Sequence, residues 1–529
     1  MGSRFVRKVR TASGAVAVQI VTREGRQVVA VDHVGSAHTD AELGLLMAAA
    51  RERLVPDGQD MLDLGPVEQA GARLGDVADW TRPADTLSVE PTGGRPRQTA
   101  AGGRVSGTAS LLLWDLLVEA YGRLGFEALA DDTFRALVCA RIIEPTSKRD
   151  TLRVLDDIGV AAPALNTLYR CLRRVKERDY RDRLARACAA YSAAVKGTGG
   201  LILYDVTTLH FENDNEDDLR RVGMSKEHRV DPQVQVGLLV DPSGFPLEVH
   251  LFDGSIGETK TLIPVLKAFR DRHGLAELVV VADAGMLSAG NLNALEDAGY
   301  SFIVGSRLTK APYDLADHFE RHGDWFADGQ ILESSRVMGT GSAARERRIV
   351  YQYSFKRRKR DDKAIDAQIA RAEKIAAGKA PVSRARFLKV AGADKQLNQD
   401  TIDRARRLAG LKGYVTNLPV ATMDGQAVIT AYHDLWQVEA SFRLTKSDLR
   451  ARPVFVQTRD TIEAHLTIVF AALAISRHLQ QASGVTIRKL VQTLRPIRSA
   501  TVTINGQHLT LEPEIPDHVQ AILDKIRGH

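Results

Sequence analysis

The chain of 529 residues carries 44% hydrophobic and 26% charged residues, ordinary globular proportions that exclude wholesale disorder, a collagen repeat and a disulfide scaffold. At roughly 100–200 residues per domain it is long enough for about three or four domains. A net charge of +6 and a pI of ≈ 9.1 suit a polyanionic partner without requiring one.

The three cysteines, Cys139, Cys171 and Cys188, lie far apart and form no Cys-x-x-Cys pair, which indicates free thiols in a reducing cytoplasm and not a zinc site. MGSRFVRKVRTASG has no apolar run behind its basic residues and does not read as a secretory signal. Residues 14–34 alternate apolar and polar positions around Arg23-Glu24-Gly25-Arg26, predicting a β-hairpin, and a helix follows from about Thr39 to Leu54. These form an N-terminal hairpin and helix domain, 1–90. Residues 91–107, with two Pro and five Gly, read as a linker.

Residues 108–195 are helical in pattern. DTLRVLDDIGV stops at Gly159, and a second helix then carries Arg170, Arg173, Arg174, Lys176 and Arg178. Such a pair fits either a helix-turn-helix, in which Arg170, Arg173 and Arg174 would contact DNA, or a plain helical hairpin with a charged outer face.

From about residue 196 the pattern turns to strands: LILYDVTTLHF, then VQVGLLV and PLEVHLF around the turn Asp241-Pro242-Ser243-Gly244. A helix (259–273), a buried strand LVVVAD and a helix (291–298) complete the run. Three meandering strands, a helix and a strand parallel to the first predict an α/β ribonuclease-H-like catalytic domain, its first part spanning 196–308. Residues 309–420, which include KRRKR at 356–360, are expected to be a basic β-rich domain inserted into it, with 421–460 returning to the catalytic core and 461–529 forming a C-terminal helical region. The longest apolar run, Leu466 to Ile475, is shorter than the about 20 residues that span a bilayer and reads as a buried helix.

Asp205 lies within the first of these strands and Asp283 at the end of LVVVAD; the strand order makes them neighbours on one sheet edge. A third carboxylate is Glu439, in a stretch without Gly or Pro between Tyr432 and Arg452. On one continuous helix Tyr432, Trp436, Glu439, Arg443 and Lys446 share a face beside an apolar stripe of Leu435, Val438, Phe442 and Leu449. A face with a carboxylate, two aromatics and two cations suits a metal and a phosphate. The histidines show no zinc spacing. His465 reads as a capping or supporting group, and Glu258 as a helix N-terminal residue.

Tyr432, Glu439 and Lys446 match Tyr-x2-Arg-x3-Glu-x6-Lys, with Leu435 in the Arg slot and Arg443 or His433 available to replace it. In this the sequence resembles the bacterial insertion-sequence transposases of the DDE class, in the Tyr-Arg-Glu-Lys branch (the long-chain subgroup of the type-four superfamily). YDVTTLHFE, SKEHRVDPQVQVGLLVD, FDGSIGETKTL, VADAGMLS and RIIEPTSKRDTLRVL resemble its long-chain members too. The resemblance implies a catalytic, metal-binding triad of Asp205, Asp283 and Glu439 holding two Mg²⁺ (or Mn²⁺) ions. DNA contacts would come from Tyr432, Trp436, Arg443 and Lys446. It further implies binding to terminal inverted repeats, 3′-end cleavage and joining to target DNA, by a homodimer in a synaptic complex, in the bacterial cytoplasm and without a membrane. The alternatives are a ribonuclease-H-like DNA nuclease without strand transfer and a DNA-binding regulator with a vestigial site.

Overall fold

The computed structural model describes residues 3–10, 16–24, 27–37, 46, 50, 104–197, 200–211, 216–223, 231–257, 260–275, 277–284, 288–306, 315–379, 385–391, 394–452, 454, 456, 458–504 and 507–528. The chain falls into two compact units, 1–99 and 100–529. In the first, β1 (Ser3–Arg10), β2 (Val16–Glu24) and β3 (Gln27–Ala37) form an antiparallel sheet in that order. Val18 and Ile20 of β2 pack with Ala50 in a small core, while Ala17 and Val21 are buried as well. Most of the expected 39–54 helix lies outside the described residues, as does the expected linker up to residue 103.

In the second unit the end of that linker is a strand, β4 (Arg104–Ala109), paired with Ser499–Ile504. Helices α1 (Leu111–Arg123), α2 (Asp132–Ile143), α3 (Thr151–Asp157), α4 (Leu165–Glu177) and α5 (Tyr180–Lys196) follow. Asp131 caps α2 by accepting from Phe134 N at 3.1 Å. Gly159, at φ +78°, closes α3 where a Cβ would lie 2.3 Å from Ala109. The stretch from Ile158 to Ala164 is longer than the 3–4-residue turn of a helix-turn-helix. Moreover α2 and α4 pack on a late helix, Arg459–Ser483, and share one hydrophobic core with the sheet.

The central sheet is built from β5 (Leu201–His210), β6 (Gln233–Val240), β7 (Pro246–Asp253), β8 (Val279–Ala282) and β9 (Ser301–Ser306), with α6 (Leu262–His273) and α7 (Ala289–Asp297) as crossovers. β6 and β7 run as an antiparallel meander from β5, while β8 lies parallel to β5 and β9 parallel to β8. The strand order is therefore the one read from the sequence.

After β9 come α8 (Ala316–His322), β10 (Ile331–Met338), β11 (Arg345–Tyr353), α9 (Phe355–Ala376), β12 (Leu388–Ala391), β13 (Asp394–Leu397), α10 (Gln399–Arg407) and β14 (Leu411–Thr416). The expected β-rich insert is not built that way. β14, β11 and β10 extend the central sheet antiparallel from β9, giving the order β10-β11-β14-β9-β8-β5-β6-β7. What stands aside is largely helical: α9 and α10 close a small core of Ile365, Ala372, Phe387, Ile402, Ala405 and Ala409. KRRKR lies in the first turns of α9, capped by Ser354 and supported by the pairs Arg357–Asp361 and Arg358–Asp362.

The chain ends with α11 (Gly425–His433), α12 (Trp436–Ser447), α13 (Arg459–Ser483), α14 (Ile487–Leu494), β15 (Ser499–Ile504), β16 (Gln507–Leu511) and α15 (Asp517–Arg527). The C-terminal region is thus not purely helical; β16, β15 and β4 form a small sheet. Among the described residues α13 is the one helix long and apolar enough to cross a membrane, and 94% of its apolar window is buried inside the protein, which makes it a core helix.

Candidate active site

β5 and β8 pair in parallel with Leu201 opposite Val279, Ile202 opposite Val280 and Leu203 opposite Val281. Continued by two residues, that register sets Asp205 level with Asp283, the residue just past β8. Residues level on neighbouring strands share a face, so the two carboxylates project together. Each is braced by the next amide: Val206 N donates to Asp205 Oδ1 at 2.8 Å and Ala284 N to Asp283 Oδ1 at 2.6 Å. Asp205 is half-buried and Asp283 exposed.

The helix expected between Tyr432 and Arg452 is two helices. At the junction the amides of Leu435, Gln437 and Val438 bond three residues back, to Tyr432, Asp434 and Leu435, in the tighter 3₁₀ manner. On one side Tyr432 is drawn to Asp283, its hydroxyl donating to Oδ1 at 3.1 Å; on the other Leu435 enters the core at 8% exposure. Tyr432 therefore belongs to the interior of the site and not to an outer face shared with Glu439. Its ring meets Tyr414 edge-on at 4.9 Å, with Lys412 Nζ 5.2 Å from its centroid. Gly305 makes room for it, since a Cβ there would stand 2.3 Å from the hydroxyl. Burial, then the charge of Asp283 and its hydrogen bond, with lesser contributions from Tyr414 and Glu439, pushes the phenol well up.

Glu439 is exposed in the first turn of α12, where the positive end of the helix dipole favours a carboxylate. α12 rests on β5 and β6 through Val438, Phe442 and Leu444. It is pinned to the β6–β7 turn: Ser441 Oγ donates to Gly244 O at 3.1 Å, and Arg477 of α13 donates to Gly244 O at 2.9 Å and to Gln437 Oε1 at 2.8 Å. Leu435, Val438, Phe442 and Leu449 are all buried, as the stripe required. The Arg slot is consequently a core position.

Of the remaining predicted residues, Trp436 is 54% exposed and Arg443 exposed, while Lys446 is half-buried in the last turn of α12. Arg170 and Arg173 are exposed on α4. Arg174 is not available in the same way. It pairs with Asp131 at 2.7 Å, beside a hydrogen bond from Tyr180 to the same carboxylate oxygen at 2.9 Å, so its charge is spent holding α4 and α5 to the cap of α2. His465 is buried and bonded to Ala451 O and Lys148, while Glu258 lies outside the described residues. Sequence reasoning passed over Gly305, Lys412, Tyr414 and Arg477, whose parts depend on tertiary contacts with no local signature.

Three hard carboxylates, two of them exposed, are a donor set suited to Mg²⁺ or Mn²⁺. Among the described residues no three His, Cys, Asp or Glu side chains stand close enough to hold a metal ion, so the three acids do not form a closed ligand set.

A mixed α/β sheet with carboxylates level on adjacent parallel strands, Asp205 within β5 and Asp283 just past β8, is consistent with the ribonuclease-H-like class of transposase domains. The family model described as "Transposase DDE domain" matches residues 196–475, more than half of the chain. The chain belongs to this transposase family. No curated protein sequence matches it. Among solved structures it is similar to the piggyBac transposase synaptic complex with hairpin DNA, at 10% identity over 74% of this chain and 81% of that one, with a TM-score of 0.37. It is also similar to the Mos1 transposase paired-end complex with the left transposon end, at 12% identity over 48% and 71% of the two chains and a TM-score of 0.15. Likenesses so distant carry no argument about this chain.

Proposed function

We propose that this chain is an insertion-sequence transposase of the Tyr-Arg-Glu-Lys branch, which binds the terminal inverted repeats of its element, cleaves the 3′ ends by hydrolysis and joins them to target DNA. The observation that carries this reading is the register that sets Asp205 level with Asp283, with Tyr432 bonded to Asp283 and α12 seated on β5. Asp205, Asp283 and Glu439 would hold two divalent ions, Mg²⁺ or Mn²⁺, which when bound supply charge neutralisation at the scissile phosphate and acidify the attacking water. The chain's own residues do the rest. Tyr432 orients Asp283, and Arg477 and Ser441 fix α12 and hence Glu439. Trp436, Arg443 and Lys446 lie on α12, and Arg170 and Arg173 on α4, to grip DNA, with a homodimer pairing two ends. A strand-transfer assay with end-bearing duplex tests the reading: cleavage without joined product would indicate a nuclease, and specific binding with neither would indicate a regulator.

Tyr432→Phe removes only the hydroxyl on Asp283. It is expected to slow single-turnover cleavage about ten- to a hundredfold, as loss of an outer partner of a metal ligand does, and to leave end binding unchanged. For α4, Arg170→Ala and Arg173→Ala are each expected to lower the slope of log K against log salt by about 1, the signature of one lost phosphate contact, and Arg174→Ala to lower thermal stability instead. Salt-dependent gel shifts and melting curves of the three variants check this.

A further inference from the structure

Past the end of α12 several cations gather, and among the described residues that line their cavity there is no acid. Arg141, Lys148, Arg450, Arg452 and His465 line a cavity of ≈ 360 Å³. Arg141 lies in the last turn of α2 at 7% exposure, and Lys148 in the loop that follows. Arg450 follows α12 in the left-handed region at φ 44°, a strained conformation for a side-chain-bearing residue and one associated with functional loops. His465, in the second turn of α13, bonds through Nε2 to the Ala451 carbonyl at 3.2 Å, which leaves Nδ1 to accept from the Lys148 ammonium, also at 3.2 Å. The imidazole is thereby held neutral, and it orients the ammonium through one of three N–H donors.

The acids of this loop are committed elsewhere: Glu144 to Arg153 and Arg495, and Asp150 to Arg153. Burial pushes Lys148 well down, with Arg141's charge adding to it, and brings Arg141 down to about 10; no carboxylate opposes either shift. Desolvated cations facing an open volume destabilise a fold unless an anion meets them. The segment, RIIEPTSKRDTL, is the part of the sequence for which the catalytic reading has no use.

We propose that this cavity is a phosphate-binding site that receives a backbone phosphate of the DNA strand lying along α12. The assignment to DNA rests on the transposase reading above; the anion site itself does not. A guanidinium fork and a pre-aimed ammonium match the non-bridging oxygens of a phosphodiester. From Glu439 to Ser447 is about 12 Å of helix at 1.5 Å per residue. At about 3.4 Å per nucleotide of one strand, the site takes a phosphate three or four nucleotides from the acids.

Two measurements on the full chain test this. Melting in chloride and in inorganic phosphate at matched ionic strength should show phosphate raising the Tm of the wild type but not of Lys148→Met or Arg141→Met. Both variants, relieved of a desolvated cation, should melt in chloride no lower than the wild type. Absence of a phosphate-specific rise in the wild type, or a lower Tm of Lys148→Met in chloride, overturns the site. In the second measurement, affinity for duplex carrying the DNA that flanks this coding region should fall about ten- to a hundredfold in Lys148→Met, the weight of a charge-assisted contact, and largely return in Lys148→Arg. Unchanged affinity alongside an intact phosphate rise would make the occupant a free anion and overturn the assignment to DNA. Should the wild type itself not bind that duplex, the transposase reading fails and the DNA assignment with it, while the melting series still decides whether an anion binds.

Discussion

Asp205→Asn, Asp283→Asn and Glu439→Gln should each depress cleavage and joining by more than about a thousandfold, a barrier increase of about 4 kcal/mol at 1.36 kcal/mol per decade. The substitutions keep shape and remove one charge from a site whose proposed chemistry depends on hard anionic ligands. Asp283 and Glu439 are exposed, so their variants should melt like the wild type. End binding should persist, because the proposed phosphate contacts come from other residues. Mg²⁺ or Mn²⁺ should support turnover in the wild type, and Ca²⁺ binding alone. A near wild-type rate in any of the three would remove that residue from the site.

The second large effect concerns the sheet's far edge. Glu248 of β7, at 1% side-chain exposure, takes hydrogen bonds from His250 at 2.8 Å, His273 at 2.9 Å and Arg272, joining α6 to the sheet. Burial alone would raise its pKa, but these partners hold the carboxyl well below the usual carboxylate range. Glu248→Gln weakens three charge-assisted hydrogen bonds at once and leaves Arg272 paired with Asp182 at 3.2 Å, and should cost about 2–3 kcal/mol. The pH dependence follows from the direction of the shift. A depressed folded-state pKa gives stability that is present above the unfolded value of about 4.3 and is lost as pH falls toward the folded one. The difference between wild type and variant in denaturant melts should therefore be full at neutral pH and shrink below about pH 4. A difference that held constant down to pH 3 would show the carboxylate's charge to be irrelevant.

The sheet was legible where burial and chain order decide the outcome. VQVGLLV is apolar but for Gln235, as suits a β6 buried on both faces, and the turn at Asp241 through Gly244 has its own chemistry. The acids were legible because Asp205 interrupts an apolar strand, Asp283 follows the end of one and Glu439 lies in a helix of distinctive composition. The single helix through Glu439 failed because nothing local marks its break; the pull of Asp283 on Tyr432 and of the core on Leu435 is tertiary. The insert failed by composition: β-like IVYQYSF was extended into a sequence whose i,i+4 ion pairs favour α9. In the C-terminal region, TVTI and QHLTL flank Asn505-Gly506, a hairpin signal obscured by the neighbouring helices.

Because β14 sits between β9 and β11, the sheet that supports Asp205 and Asp283 is not finished until residue 416 is in place, and the elements bearing Tyr432 and Glu439 come only after it. During translation the first two carboxylates emerge early, beside an unsatisfied β9 edge, and the third arrives when most of the polypeptide has left the ribosome. A prematurely terminated product would carry an open, aggregation-prone sheet and an incomplete acid set. The weave of strands thus ties completion of the proposed acid set to synthesis of the whole stretch from β5 to α12.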